Sequence, residues 1–345
     1  MRKKQVMRLA AIVSFAAATV FSASSPGYHV MKTFKLGGDG GWDYLTLDNS
    51  AHRLYISRAT RVMVMDTESG KQVGEISHTP GVHGVALVPA LNRGFVSNGR
   101  EGTVSIFDMK TLKTLGRLKV GDNPDAILYD PATRQVMTFN GRSHDASVLD
   151  PEHGKVAGTI KLGGKPEFAV SDEKGQVFVN IEDKNEIEVL DPHRLEVQAR
   201  WPMPGCEAPT GLALDREHRR LFSGCDKVMA VVDADTGKQL AKLSICDGVD
   251  GTAYDPETKL AFASCYDGKL TIIREESPGK FSVAETATTQ EGARTLVLDP
   301  KTHEIYTVTA RFGARAAPSA ENPNPRSSIM PDSFVVLVLG MKSRK

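Results

Sequence analysis

Between Gly38 and Gly340, apolar and polar residues alternate with period two in short runs, and clusters of Asp, Pro, Gly and Thr separate the runs. Alternation of this kind, bounded by turn residues, predicts β-strands and argues against helices. The runs group into a unit of about 42 residues that recurs seven times, seen most plainly at residues 121–162, 208–244 and 248–273. In the third unit the pattern predicts an inner strand over Asp125–Tyr129 and a turn over Asp130–Arg134. A second strand follows over Gln135–Phe139, a third over Ala146–Asp150 and an outer one over Val156–Leu162. Seven such four-stranded units predict an all-β fold, a seven-bladed β-propeller with antiparallel blades.

Turn residues punctuate each unit at fixed slots. Asp130-Pro, Asp215, Asp255-Pro and Asp299-Pro follow inner strands, and third strands end at Asp66, Asp108, Asp150, Asp191 and Asp233, with Arg274 in the sixth unit. Pro presets φ, Asp accepts hydrogen bonds from amides just ahead of it, and Gly tolerates positive φ. These aspartates are therefore read as turn stabilisers, not catalysts.

The seventh unit has an inner strand (Arg294–Leu298), a second (Glu304–Thr309) and a third (Ser333–Leu339), but no outer strand. Tyr28–Leu36 matches the outer strands of other units and is predicted to complete this blade, which removes the open edges of the array. Residues 25–345 then make one domain. Within it, residues 311–332 separate two strands where other units spend about five residues, and Pro318, Pro323, Pro325 and Pro331 stiffen them. A loop this long is either an arm that closes or binds at one face, or an inert insertion.

Composition leaves this picture standing and removes others. Hydrophobic residues at 40% and charged residues at 25% are ordinary for a globular domain. The 43 Lys+Arg and 42 Asp+Glu leave a formal net charge of +1, and aromatics are 6%, so neither a cationic field nor stacking platforms point to nucleic acid. At the N-terminus, Met1-Arg-Lys-Lys precedes an apolar stretch, Leu9–Phe21, and the small residues Ser22-Ala23-Ser24. This is the layout of a cleavable secretory signal over residues 1–24, the stretch being short of the ~20 residues that a transmembrane anchor needs. The expected location is secreted or periplasmic, and the expected state a monomer that does not span a membrane.

The four cysteines repeat one arrangement. Cys206 and Cys225 stand four before and fifteen after Thr210, and Cys246 and Cys265 hold the same offsets from Asp250. Because inner and second strands are antiparallel neighbours and an exported chain favours oxidation, disulfides Cys206–Cys225 and Cys246–Cys265 are predicted. A thiolate site for a soft metal such as Cu(I) is the alternative.

The Gly-x-x-Pro-like blade entries, the V-x-V-x-D third strands, and second strands such as Leu54-Tyr-Ile-Ser57, Phe95-Val-Ser-Asn98 and Val177-Phe-Val-Asn180 resemble the YVTN-type, YncE-like extracytoplasmic propellers over about residues 28–340. That resemblance implies the fold and says little of function, since the repeated residues serve turns and packing.

In an up-and-down blade the loop entering the inner strand and the loop from second to third strand open on one face. Aligning the units puts Asp43, His83, Asp125, Glu167, Thr210, Asp250 and Arg294 at the start of the inner strands, where they are predicted to ring the tunnel mouth. Arg58, Asn98, Asn140, Cys225, Cys265 and Thr309 lie fifteen positions on, with Arg100, Arg142 and Arg311 close behind. Guanidiniums there suit an anionic group and the acids a cation or amine, unless the two simply neutralise one another. His83 is the sole imidazole of the ring; His52, His153, His193, His218 and His303 fall in turns and are expected on the surface. Trp42 either caps the mouth or packs between blades. No compact calcium loop, zinc spacing or haem-attachment motif occurs, so no cofactor is expected, a Ca²⁺ or other divalent ion held by the carboxylates being the exception.

The leading expectation is a non-enzymatic binding or scaffold protein of the cell envelope that takes a small ligand, peptide or protein at the mouth. A lactonase-like, metal-assisted hydrolase using Asp43, Asp125, Glu167 and Asp250 is the alternative. A redox role with a quinone cofactor rests on analogy among propellers alone.

Overall fold

The computed structural model describes residues 25–315 and 327–341; residues 1–24, on which the expected secretory signal falls, and Pro318, Pro323 and Pro325 lie outside them. Seven four-stranded antiparallel sheets follow one another along the chain. In the third blade the strands are Pro124–Asp130, Gln135–Asn140, Asp145–Asp150 and Lys155–Lys161, within a residue or so of the expected bounds.

Ring closure follows the predicted route. The first strand, β1 (Tyr28–Lys35), pairs antiparallel with the last, β28 (Val335–Met341), from Tyr28 opposite Met341 to Lys35 opposite Val335, with a bulge between Val30 and Lys32. The seventh blade is thus built from both ends of the ring. Tyr28 secures the seam: its ring meets Phe262 of the sixth blade edge-on at 5.1 Å, and its hydroxyl donates to the His303 carbonyl at 3.0 Å.

Packing between blades forms the core. Leu54, Ile56, Met63 and Met65 of the first blade mesh with Tyr306, Val308, Phe334 and Val336 of the seventh. Each blade is sandwiched between two others, so the second and third strands are buried on both faces; Val62-Met63-Val64-Met65 is wholly buried. Clear period-two alternation survives in outer strands such as Glu196–Pro202, which wrap the solvent-facing rim.

The turn aspartates do what their chemistry predicts. Asp150 accepts from the amides of Glu152 and His153, and Asp233 from those of Asp235 and Thr236. Gly70 closes the Asp66 turn at φ +68°, where an added Cβ would stand 1.9 Å from the Phe34 ring of β1. Cys206–Cys225 and Cys246–Cys265 are paired, with Cα separations of 5.3 and 5.8 Å. These lie within the usual range for disulfides, and such bonds fit an oxidising, extracytoplasmic setting. Among the described residues no helix is long and apolar enough to cross a membrane.

Candidate functional site

The first residues of the inner strands are positioned by hydrogen bonds from neighbouring blades. The Thr295 hydroxyl donates to the Asp43 carbonyl at 3.0 Å, Ser97 to Asp125 at 2.6 Å, and Ser264 to Arg294 at 2.5 Å. The Tyr44 amide donates to the His83 carbonyl at 3.2 Å and the Asn180 amide group to that of Thr210 at 2.9 Å. With the backbone tied sideways, the side chains are left to face the channel. Asp43, Asp125, Glu167 and Asp250 all act on the Tyr44 phenol, which lies among them and packs on Phe168 at 5.1 Å. Carboxylates from four blades therefore converge on this one phenol. Thr210 does not join them through its hydroxyl, which donates to the Val249 carbonyl at 3.0 Å and ties two blades together.

Three ion-paired groupings divide the ring. Arg294 Nε donates to Asp250 Oδ2 at 2.5 Å. Lys165 Nζ donates to Glu167 at 2.7 Å and also reaches Glu182. His83 Nδ1 lies 2.6 Å from Asp43 Oδ2 and 3.5 Å from Asp125 Oδ1. Five carboxylates thus share three cations in a partly buried channel, and proton affinities rise accordingly. Burial, reinforced by Asp43 and Asp250 against the opposing His83, lifts Asp125 to about 7. Burial and the neighbouring Asp125 lift Glu167 to about 8. Burial works against a charged His83, but the Asp43 hydrogen bond and the field of Asp125 outweigh it and raise the imidazole to about 9. Asp250 is raised by burial despite Arg294. The neutralisation foreseen as the plain alternative is thus present but incomplete.

The second tier is mostly structural, which corrects its assignment to ligand contact. Arg58 is fully buried; its NH2 donates to the carbonyls of Asp39 at 2.6 Å and Gly40 at 3.1 Å, and its guanidinium lies 3.6 Å over the Phe334 ring. Burial and nearby Arg61 lower its pKa to about 10. Asn98 and Asn140 are buried and brace their own hairpins, to Thr103 and Ser105 and to Asp145 and Ser147. Thr309 donates to the Glu291 carbonyl. Cys225 and Cys265 are spent in disulfides. Arg100, Arg142 and Arg311 remain exposed on this face. His303 is also corrected: it is no surface turn residue but lies half-buried, with Nδ1 2.7 Å from Asp255 of the adjoining blade.

The long insertion folds back at its base. Phe312 pairs with Ile329, the Gly313 amide donates to the Ser328 carbonyl, and the Met330 amide to that of Arg311. Phe312 thereby stands 6.0 Å from Trp42 and 5.9 Å from Tyr266, ring to ring. A cavity of about 660 Å³ opens here, lined by Trp42, Tyr266, Glu291, Arg294, Phe312 and Arg315 among others. Of the two expectations for Trp42, packing between blades is the one seen, its ring buried 5.6 Å from that of Phe334, and Trp42 also lines the cavity.

Several of these residues escaped the sequence reading. Glu182 stands fifteen positions after Glu167, the same offset that marks Arg58 and Asn98, so the repeat itself signalled it. Tyr266 follows the Cys265 slot by one residue. Nothing in the repeat signalled Phe312, because the insertion has no counterpart in other units, whereas Glu291 stands three residues before Arg294, in the blade-entry slot that Asp247 occupies before Asp250.

No family model matches the chain, and no curated protein matches it in sequence. Among solved structures it is similar to a chain of Kuenenia stuttgartiensis hydrazine synthase, with a TM-score of 0.69 over 92% of this chain and 99% of that one, at 14% identity. At that identity the likeness establishes the propeller and nothing of the chemistry.

Proposed function

We propose that this propeller is an extracytoplasmic binding protein of the YVTN type that takes a small amphiphilic ligand at its tunnel mouth. One observation carries the reading: the cavity of about 660 Å³, walled on one side by Trp42, Tyr266 and Phe312 and edged by Arg294, Arg315 and Glu291. Its size and mixture of aromatic wall with few polar groups are those of small-molecule sites. The hydrolase reading needs a cation gripped by several of the four ring carboxylates. Two of those, Asp250 and Glu167, are already held by Arg294 and Lys165. The paired disulfides support a secreted or periplasmic location.

Trp42 is one of only two tryptophans, so its emission reports occupancy once Trp201 is replaced by Phe. Titration of that variant with anilinonaphthalene sulfonate, an anionic aromatic probe, is expected to saturate at one probe per chain. Adding Phe312→Ala or Tyr266→Ala should weaken binding at least tenfold. Binding that is non-stoichiometric, or indifferent to both replacements, would sink the proposal.

A further inference from the structure

The three charge groupings at the mouth differ in which cation holds the carboxylates. Asp250 faces a guanidinium, and Glu167 and Glu182 face an ammonium. Neither cation has a lone pair to offer while it is charged. Among the described residues, Asp43 and Asp125 have His83 as their one cation at ion-pair distance, through the single atom Nδ1, while Arg294 and Lys165 act on them from further off. An imidazole nitrogen that gives up its proton becomes a metal donor. One donor atom from each of Asp43, His83 and Asp125 lies within 4.8 Å of the other two. Donors around a single ion with bonds of about 2.0–2.2 Å stand roughly 3 to 4.4 Å apart, so small side-chain rotations suffice to enclose one.

We propose that Asp43, His83 and Asp125 form a one-nitrogen, two-oxygen site for a divalent transition metal such as Zn²⁺ or Mn²⁺, set in the wall of the channel. The ion takes the place of the proton on Nδ1, which leaves to solvent, and two carboxylates then balance its charge. Imidazole with carboxylate suits these metals better than Ca²⁺, which prefers six to eight oxygens. The three donors begin the inner strands of three successive blades, and their backbone carbonyls are held by Thr295, Tyr44 and Ser97. The scaffold is therefore set before any ion arrives. Gly99 leaves room for the ring: a Cβ there would stand 2.6 Å from His83 Nε2. This site uses none of the three aromatic residues that wall the cavity and does not depend on the ligand-binding reading.

The test uses untagged protein stripped with chelator, then titrated calorimetrically with Zn²⁺, Mn²⁺ and Ca²⁺, with bound metal counted by elemental analysis after dialysis. One Zn²⁺ or Mn²⁺ per chain is expected, with Ca²⁺ at least tenfold weaker. His83→Ala and Asp125→Asn should each lower affinity at least a hundredfold, while Asp250→Asn keeps it. Circular dichroism and melting in chelator establish that each variant is folded, and should one fail, the other answers alone. Folded wild-type protein that takes up no stoichiometric metal, or uptake unchanged in both variants, overturns the proposal.

Discussion

At the scale of single residues, charge and burial together assign roles that residue type alone leaves open. Arg58 and Arg294 both come from slots predicted at the tunnel mouth, yet one is a buried clamp on the 37–40 segment and the other an ion-paired wall of the cavity. Replacing Arg58 with Ala removes the donors for the Asp39 and Gly40 carbonyls and its stacking on Phe334. A loss of about 3 kcal/mol is expected from the cavity and the stranded carbonyls. Arg58→Lys should recover only part of it, since an ammonium has neither the planar fork nor the stacking face. Chemical denaturation of the two variants checks this; equal stability of Ala and wild type would make Arg58 dispensable. Its position at the mouth was legible in the repeat, but its burial was not, because the side chain's fate depends on the 37–40 segment that folds over it.

At the scale of elements, the strands were readable wherever one face meets solvent. Outer strands keep the alternation, whereas second and third strands pack on both sides and read as nearly unbroken apolar runs. The closing strand was recognisable by its likeness to other outer strands. Deleting residues 28–35 leaves β28 with an unpaired edge and removes the Tyr28 contacts to Phe262 and His303. The shortened chain is expected to melt well below wild type and to self-associate through the bare edge. Sedimentation shows whether it does, and a monomeric ring with unchanged melting would refute closure as a stability device. The arm at 311–332 was visible as an interruption, but the meeting of Phe312 with Trp42 and Tyr266 was not, since the three lie in distant parts of the sequence.

At the scale of the whole molecule, the ring concentrates acids that the overall charge of +1 conceals. Asp125 at about 7, Glu167 at about 8 and His83 at about 9 each hold a proton more tightly in the fold than in the unfolded chain. Between the ordinary value and the raised one, the folded state binds more protons, so stability falls as pH rises. For the two acids the loss runs from about pH 4 upward through 7 and 8; for His83 it runs from about 6.5 through 9. The turn aspartates Asp66, Asp108, Asp150 and Asp233, whose pKa values are lowered, act in the opposite sense and only in the acid range. In chelator, the melting temperature is therefore expected to decline from pH 5 to pH 9, and Glu167→Gln should flatten the decline. A melting temperature that climbs over that interval contradicts the charge arrangement.

Local chemistry carried the fold, because a propeller is assembled from a repeated short-range instruction: alternation, an Asp or Gly turn, alternation again. The same repetition marked the six charged side chains that act on one another across the ring, Thr210 being the exception, and paired four cysteines correctly, since equivalent slots in equivalent blades share a face. What each slot does depends on distances across the ring and between blades, where no local pattern operates. That Asp43 and Asp125 share one imidazole while Asp250 and Glu167 hold permanent cations follows from how seven blades close into a circle. Long-range contact fixes burial and pairing, and these turned a ring of unlike residues into a cavity, a set of clamps and three separate charge groupings.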